Sequence, residues 1–512
     1  MSLLSTDQAL SRHSYYAATA PRTGRHAPLR ETLDCDVAVV GGGLAGLSAA
    51  IELADRGYRV VLLEAQRVGW GASGRNGGQA LAGLACEQDV IEAQLGRDEA
   101  RRIWAMTLEA LALIGERCSR FGIDCDWRPG YLSVAVGARK AEELQRWQAR
   151  MAADYGHETT WIPPAELPGW IASPRFHSGV HDARSGHLHP LKYSLGLADA
   201  ATSLGVRLFE ESAVTRIDPG PTVRLHTATG SVHASHVLLA GNVYLQGIAP
   251  ALERRIMPVG TYIVASQALD PALAASLVPS GSAVCDTNFV LDYFRPTADH
   301  RMLYGGRVSY STATPIHLAA SMQRRMALSF PQLAGTSVEF AWGGFVDISM
   351  NRAPDFGRLA SLLDDAPQWR QVYYLQGFSG HGLALTGLAG KLVAEAIDGD
   401  ASRFDTFARL RHRPFPGGRW LRTPALVAGM AYYRLKDRHI PIDVVADHGI
   451  SLGIYFRDPD GNGVEVSYEL PREQWPRQDS VFASDMVGRG CFPGPWDAEV
   501  KSRVNPVPAP AE

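Results

Sequence analysis

Asp36 to Glu64 reads DVAVVGGGLAGLSAAIELADRGYRVVLLE, and the order of residue types along it decides the fold. Asp36 to Val40 is a short apolar run suited to a buried parallel strand, and Gly41, Gly43 and Gly46 then supply G-x-G-x-x-G where strand passes into helix. Gly41 permits the tight turn, Gly43 lets the backbone approach a pyrophosphate, and Gly46 lets helix and strand pack closely, while unpaired N–H groups of the helix face the anion. Gly57 ends the helix, Arg59 to Leu63 gives a second buried strand, and Glu64 lies 18 residues past Gly46. A carboxylate there accepts hydrogen bonds from a ribose diol and disfavours a 2′-phosphate. Taken alone, the unit leaves open which dinucleotide it binds.

The remainder of the 512-residue chain bounds the answer. With 46% hydrophobic residues it buries substantial cores and divides into at least two domains. Fifty basic and 53 acidic residues give a formal charge of −3, and the basic residues are dispersed, so no nucleic-acid surface is expected. Six cysteines (Cys35, Cys86, Cys118, Cys125, Cys285, Cys491) form no metal pair or disulfide framework, and Cys118 and Cys125 are too far apart for C-x-x-C. This usage suits a reducing compartment, and the N-terminal residues lack a basic region leading into an apolar core, so a cytoplasmic protein is expected. Val37 to Ala54 is nearly apolar enough for a membrane span, but its three consecutive glycines and Glu52 fit a buried strand–turn–helix instead; no integral membrane segment is expected.

Beyond Glu64 the pattern changes several times. A glycine-rich loop, GWGASGRNGGQ (Gly69 to Gln79), precedes helical sequence from Glu87 to Phe121. Tyr131 to Val136 and Gly260 to Arg307 alternate β-branched and aromatic residues and predict antiparallel strands of a second domain. Leu191 to Leu204 predicts a helix, Val206 to Phe209 and Ala213 to Ile217 strands, and Val237 to Gly241 a buried strand ending in glycine. Tyr373 to Gly377 predicts another buried strand, leading into FSGHG and a long helix to Ile397.

A nicotinamide dehydrogenase has no need of two further glycine-rich contacts. Ala72-Ser73-Gly74-Arg75-Asn76-Gly77-Gly78-Gln79 offers many backbone N–H groups with little obstruction, a nest for pyrophosphate or an isoalloxazine edge. Gly377-Phe378-Ser379-Gly380-His381-Gly382 places a second helix N-terminus after a strand, where partial positive charge faces a developing anion.

With these loops the chain resembles the D-amino-acid-oxidase-type family of FAD-dependent oxidoreductases, and within it most the γ-glutamylputrescine oxidoreductase branch. The resemblance runs from Ser14 to Asp437 through SYYAAT, GGGLAG with Glu64, GASGRNGGQ, GHLHPLKY (Gly186 to Tyr193), LLAGN (Leu238 to Asn242), MNRAPDFG (Met350 to Gly357), GFSGHG and FPGGRWLRTP. It implies that Gly41, Gly43, Gly46, Glu64, Ser73, Arg75, Asn76, Gly77, Gly78, Gln79, Val214, Gly241, Gly380 and His381 contact FAD. Relatives that tether flavin covalently carry a cysteine shortly before APDFG, where this chain reads DISMNR (Asp347 to Arg352), so non-covalent FAD is implied. Similar sarcosine oxidases use a lysine in the β-rich domain to activate oxygen; Ala283 to Tyr310 has none, which leaves oxidase and dehydrogenase both open.

The implied reaction is oxidation of the C–N bond of a small amine, a γ-glutamylated polyamine such as γ-glutamylputrescine, by hydride transfer to flavin N5. The resulting imine hydrolyses to an aldehyde. Alternatives are a secondary-amine or amino-acid oxidoreductase resembling sarcosine or glycine oxidases, or a flavoprotein whose tail gives it mainly an interaction role. His381 either supplies potential beside the flavin or only caps its helix. His187 and His189, two apart in an extended segment, would share a face where either accepts an ammonium proton, unless their role is structural; no third ligand makes them a metal site. Tyr293 and Arg295 alternate onto one strand face, and with Arg307 and Arg352 offer cations for a substrate carboxylate; His381, His189, Tyr293 and Arg295 are the candidate catalytic residues. The partners are then a small amine and oxygen or another electron acceptor.

After Asp437, ADHGISLGIYFRDPDGNGVEVSYELPREQWP (Ala446 to Pro476) resembles the closing hairpin of a vicinal-oxygen-chelate module, in which Glu465 would be a metal ligand. Too few residues remain for a whole module, so a metal-free fragment is expected. Asp458, Asp460, Asn462, Gly463 and Glu469 also match a calcium-loop pattern, but Ile450 to Phe456 and Val464 to Tyr468 read as strands where that loop needs helices. Its exposed edges offer self-association.

The expected fold is α/β plus α+β. A Rossmann-like FAD-binding domain (34–90, 180–250, 345–410) carries an inserted antiparallel substrate domain (91–179, 251–344), after an N-terminal extension (1–33). An oxidoreductase tail (411–437) and a C-terminal β-hairpin extension (438–512) complete the chain.

Overall fold

Four consecutive buried residues, Val37 to Val40, open the observed architecture as they do the sequence: their strand, Thr32–Val40, is covered on both faces where it enters the glycine turn. Full burial of a valine side chain stabilises by about 1.5–3 kcal/mol, so such a run settles only inside a sheet with helices on both sides. The computed structural model describes residues 7–8, 13–22, 24–245, 247–288, 291–309 and 317–415, and three strands between 442 and 469.

Thr32–Val40 pairs in parallel with Val60–Leu63 on one side and Ser231–Leu239 on the other. The sheet extends through Val372–Gln376, parallel to Ser231–Leu239, to an antiparallel edge at Asp355–Arg358, and through Arg207–Phe209 at the opposite edge. Strands far apart in sequence thus align their carboxyl ends along one cleft, the place where open α/β sheets bind ligands. On one face lie the helices Leu44–Asp55 and Gly382–Ile397, in close approach: a Cβ at Gly390 would stand 2.5 Å from the Ala49 nitrogen. The expected helix from Glu87 to Phe121 is two, Gln88–Leu95 and Arg97–Phe121. Gly96 at φ +85° separates them, a conformation glycine adopts without strain.

The second sheet runs in the order Val338–Ser349, Ile256–Ser266, Met302–Ser309, Tyr293–Pro296, Ala283–Asp286, Arg128–Ala135, Ser178–His187 and Gln79–Ala80. It is antiparallel except at one pair, Ala283–Asp286 with Arg128–Ala135, which are parallel. Stacked Phe294 and Tyr304, with Phe330, Met322 and Met326, fill its core under the helix Leu318–Ser329. Three of its strands come wholly or partly from segments grouped by sequence with the first sheet: Ser178–His187 spans the boundary drawn at 180, Val338–Ser349 the one drawn at 345, and Gln79–Ala80 follows the glycine-rich loop.

Residues 414–512 form a unit of their own. Its strands Ile442–Asp447, Ser451–Arg457 and Gly463–Glu469 make a three-stranded antiparallel meander, one strand more than the expected hairpin. Glu465 pairs by backbone with Tyr455; Asp458, Asp460 and Asn462 lie outside the described residues. Among the described residues no helix is long and apolar enough to cross a membrane.

Candidate functional site

The cleft is built at the carboxyl ends of four parallel strands, from the residues just beyond them: Gly41, Glu64, Gly241 and Gly377. Gly41 stands at φ +114°, and a Cβ on it would meet the Ala240 carbonyl oxygen at 2.6 Å. On Gly46 a Cβ would meet the Gly41 oxygen at 2.0 Å. Gly43 precedes the helix Leu44–Asp55 with no side-chain cap of its own; Ser73 Oγ accepts instead from the Leu44 N–H at 2.9 Å, and a Cβ on Gly43 would be 2.7 Å from that oxygen. Glu64 Oε2 accepts from Gly42 N–H at 2.7 Å and Oε1 from Gln66 N–H at 2.8 Å. Burial raises its pKa, against the pull of those two N–H groups. The carboxylate is therefore held at the mouth of the turn. Val214 packs beneath the same sheet with Val40 and Leu63, two residues past Ser212, whose N–H donates to the Glu64 carbonyl at 2.8 Å. Bare glycine backbone, an open helix start and a fixed carboxylate are the groups that an adenosine diphosphate half requires, so these residues fit FAD.

The loop Gly69 to Gln79 lies across the turn, with the Gly69 N–H donating to the Gly42 carbonyl at 3.0 Å, and three of its side chains do other work than the resemblance implies. Asn76 Nδ2 donates to the Ala72 and Ser73 carbonyls and its Oδ1 accepts from Gly78 N–H at 2.8 Å, which shapes the loop from within. Gln79 Nε2 donates to the Val284 carbonyl at 3.1 Å. Arg75 is buried in a forked ion pair with Asp7, Nη2 to Oδ2 at 2.6 Å, and also donates to the Gly71 and Gly343 carbonyls. These side chains tie the loop to its surroundings, and its backbone is left for a cofactor.

Tyr293 and Arg295 do share a face, and both reach this loop. The Tyr293 ring lies against Gly77, where a Cβ would meet it at 2.7 Å; half-buried, it has no hydrogen-bond partner for its hydroxyl among the described residues. Arg295 corrects the expectation of a carboxylate binder. Nε donates to the Gly77 carbonyl at 2.8 Å, Nη1 to Pro296 O and His187 Nδ1, and Nη2 to Leu188 O and Tyr16 Oη. A guanidinium has five N–H groups, so none is left for a substrate. Arg295 is a clamp on the loop Gly69 to Gln79.

His187 and His189 part ways, against the shared face expected of them, because a strand ends at His187 and a helix begins after His189. His187 Nε2 donates to the Gly281 carbonyl at 2.9 Å. His189 Nδ1 caps the helix Pro190–Ser203 by accepting from Lys192 N–H at 3.2 Å, and its Nε2 meets Thr19 Oγ1 at 3.0 Å. Burial, with Arg295 adding to it, drives both pKa values down to about 3. With both ring nitrogens engaged, neither imidazole is positioned to take a substrate proton.

The GFSGHG segment is shaped by a residue that sequence reasoning passed over. Asp347 accepts from Gly377 N–H in a short hydrogen bond and from Phe378 N–H at 3.3 Å, and its carbonyl accepts from Ser379 N–H at 2.9 Å. Burial pushes the Asp347 carboxyl up to about 7. Its signal was an acid in an otherwise apolar strand, GGFVDIS. The helix starts at Gly382 with no side-chain cap, and open space surrounds the Cβ position of Gly380. His381, half-buried at the N-cap, has its pKa lowered to about 4, by burial first and Arg352 second, so its imidazole is neutral at neutral pH. Arg352 is exposed, and the Arg307 side chain lies outside the described residues. Tyr244, which donates to Asp7 in a short hydrogen bond, and Tyr16 were also missed, since nothing local marks a residue whose partners are hundreds of positions away.

Comparison with known proteins agrees with this geometry. Residues 36–396 match the family described as DAO, FAD dependent oxidoreductase. The gamma-glutamylputrescine oxidoreductase of Escherichia coli K12 is 43% identical over 431 residues, 83% of this chain and 98% of that protein. A probable oxidoreductase, OrdL, of Haemophilus influenzae is 37% identical over 83% of this chain and 97% of its own length. Among solved structures, glycine oxidase from Geobacillus kaustophilus superposes with a TM-score of 0.59 at 22% identity, covering 72% of this chain and 95% of that one. L-proline dehydrogenase from P. horikoshii does so at 0.58 and 20%, covering 72% and 94%.

Proposed function

The chain belongs to the FAD-dependent oxidoreductase (DAO) family, and from that premise we propose that it oxidises the C–N bond of a γ-glutamylated polyamine such as γ-glutamylputrescine, giving an imine that water hydrolyses to an aldehyde. The observation that carries the choice of amine is the near full-length match to the Escherichia coli enzyme. FAD, when bound, supplies the two-electron acceptor.

Gly41, Gly43, Gly46 and Glu64 would hold the adenosine diphosphate half, and the backbone of Ser73 to Gly78 together with Gly380 and His381 the ring half. No cysteine stands between Asp347 and Arg352, which supports non-covalent attachment. In this reading the first sheet holds the cofactor and the second presents the amine. Tyr293, a second-sheet side chain with no hydroxyl partner among the described residues, would orient it beside Gly77. His381, neutral, and the uncapped start of Gly382–Ile397 supply hydrogen bonding and positive potential without a fixed cation. The amine must arrive with a neutral nitrogen, and no buried imidazole deprotonates it here, so solution supplies the free base. Oxygen or another acceptor then takes the electrons, in a cytoplasmic setting that the free thiols favour.

Anaerobic mixing of the yellow holoprotein with γ-glutamylputrescine, putrescine, sarcosine and glycine tests this by flavin bleaching. We expect the γ-glutamylated amine to reduce the flavin at least about tenfold faster than putrescine, the rate ratio of one charged hydrogen bond. Reduction by sarcosine or glycine alone would sink the reading. Repeating turnover with oxygen and with an artificial acceptor separates oxidase from dehydrogenase.

A further inference from the structure

Cys118 and Cys125 show no redox spacing in the sequence, yet the fold brings their Sγ atoms to 3.5 Å. Cys118 occupies the last turn of the helix Arg97–Phe121; Gly122, left-handed at φ +64°, reverses the chain, and Cys125 returns beneath it. Cys118 is half-buried and Cys125 only 2% exposed. Cys125 is anchored, its carbonyl accepting from His189 N–H at 2.7 Å, whereas Cys118 sits at a helix end. A disulfide needs a sulfur separation of about 2.05 Å, so closing the gap asks for roughly 1.5 Å of movement at that end.

We propose that Cys118 and Cys125 form a reversible dithiol–disulfide pair, a modification site oxidised by hydrogen peroxide. Cys118, the more accessible thiol, reacts as its thiolate: the peroxide O–O bond breaks, one oxygen is transferred to Cys118 sulfur as sulfenic acid, and hydroxide leaves. The Cys125 sulfur then attacks Cys118 sulfur; the S–S bond forms as the S–O bond breaks, and the oxygen departs with the Cys125 proton as water. Two thiols are oxidised by two electrons and one peroxide is reduced to two waters. The hydrogen bond from the Cys125 thiol lowers the Cys118 pKa, favouring the attacking thiolate, whereas burial pushes the Cys35, Cys86 and Cys285 thiols up to about 12.

Peptide mapping of the full chain after hydrogen peroxide treatment, denaturation and alkylation tests the pair. We expect two of the six cysteines to resist alkylation, one cross-linked peptide holding Cys118 and Cys125, a mass lower by about 2 Da, and full reversal by dithiothreitol. In Cys125→Ser the cross-link is absent and dimedone captures Cys118. Six alkylatable thiols after peroxide, a cross-link through any other cysteine, or Cys118 driven to sulfinate in the unsubstituted protein with no cross-link would each overturn the proposal. The unsubstituted protein decides the matter even where the variant fails to fold.

Discussion

Arg295 carries its charge into the interior and uses it largely on backbone. Its bonds to the Gly77 and Leu188 carbonyls hold the loop Gly69 to Gln79 against the second sheet. Leaving a buried acceptor unpaired costs about 1–3 kcal/mol. Arg295→Leu should therefore weaken FAD binding by roughly tenfold or more. Arg295→Lys should not restore it, because an ammonium cannot reproduce the fork. Titration of apoprotein with FAD, monitored by flavin fluorescence, reads both; unchanged affinity in the leucine variant would show that the clamp does not govern the loop. Asp347 gives a second prediction with a defined sign. Its carboxyl rises from 3.8 to about 7, so between those values the native state holds a proton the unfolded chain has lost, and this group's contribution to stability grows as pH falls. His187, His189 and His381, lowered from 6.5 to about 3, 3 and 4, act oppositely: the unfolded chain takes their protons first, and stability is lost on acidification. Asp347→Asn removes the opposing contribution, on the order of a few kcal/mol at most. Melting curves of the apoprotein from pH 7 to pH 4 should fall more steeply in the variant than in the parent.

Among the elements, the two helices on the first sheet depend on the absence of a side chain. Gly390 lets Gly382–Ile397 lie against Leu44–Asp55, whose Ser48 Oγ donates to the Gly387 carbonyl at 2.5 Å. Since one of these helices opens at the glycine turn and the other at the GFSGHG loop, their spacing sets the cleft. Gly390→Val should force them apart, lower the melting temperature by about 1–3 °C, as overpacking by about 1–3 kcal/mol does in a unit of this size, and loosen FAD in parallel. A variant that melts earlier while holding FAD unchanged would separate helix packing from cleft width. Gly41, Gly43, Gly46 and Glu64 were legible in the sequence because strand, turn and acid succeed one another within thirty residues, where spacing alone carries the geometry. The roles of Arg295, His189 and Asp347 were not, because a side chain's duty depends on which distant carbonyl or N–H the topology brings to it. The histidine pair shows the difference: two residues apart implied one face, but the chain changes from strand to helix between them. Cys118 and Cys125 fail in the other direction, far apart as a motif yet adjacent through a single left-handed glycine.

At the scale of the whole molecule, the chain is longer than the Escherichia coli relative it matches almost end to end. The Escherichia coli enzyme finds 98% of its length in 83% of this chain, and the family match ends at residue 396. Every group placed around the cleft, from Asp7 to His381, belongs to the unit Met1–Arg413, while the meander of three strands between 442 and 469 belongs to the unit Pro414–Glu512. A chain ending at Asp437 keeps all the residues of the resemblance and discards the meander. It should bind FAD at one per chain, melt within about 2 °C of the full protein, a shift worth about 2 kcal/mol for a chain of this size, and reduce its flavin with the same amine at the same rate. Size-exclusion chromatography with light scattering on the two chains then reads what the meander contributes: equal flavin and turnover with a smaller assembly would assign its edge strands to self-association. A truncated chain that emerges colourless, or aggregates, would instead make the tail part of the oxidoreductase fold, and the boundary at 413 would cease to mark an independent unit.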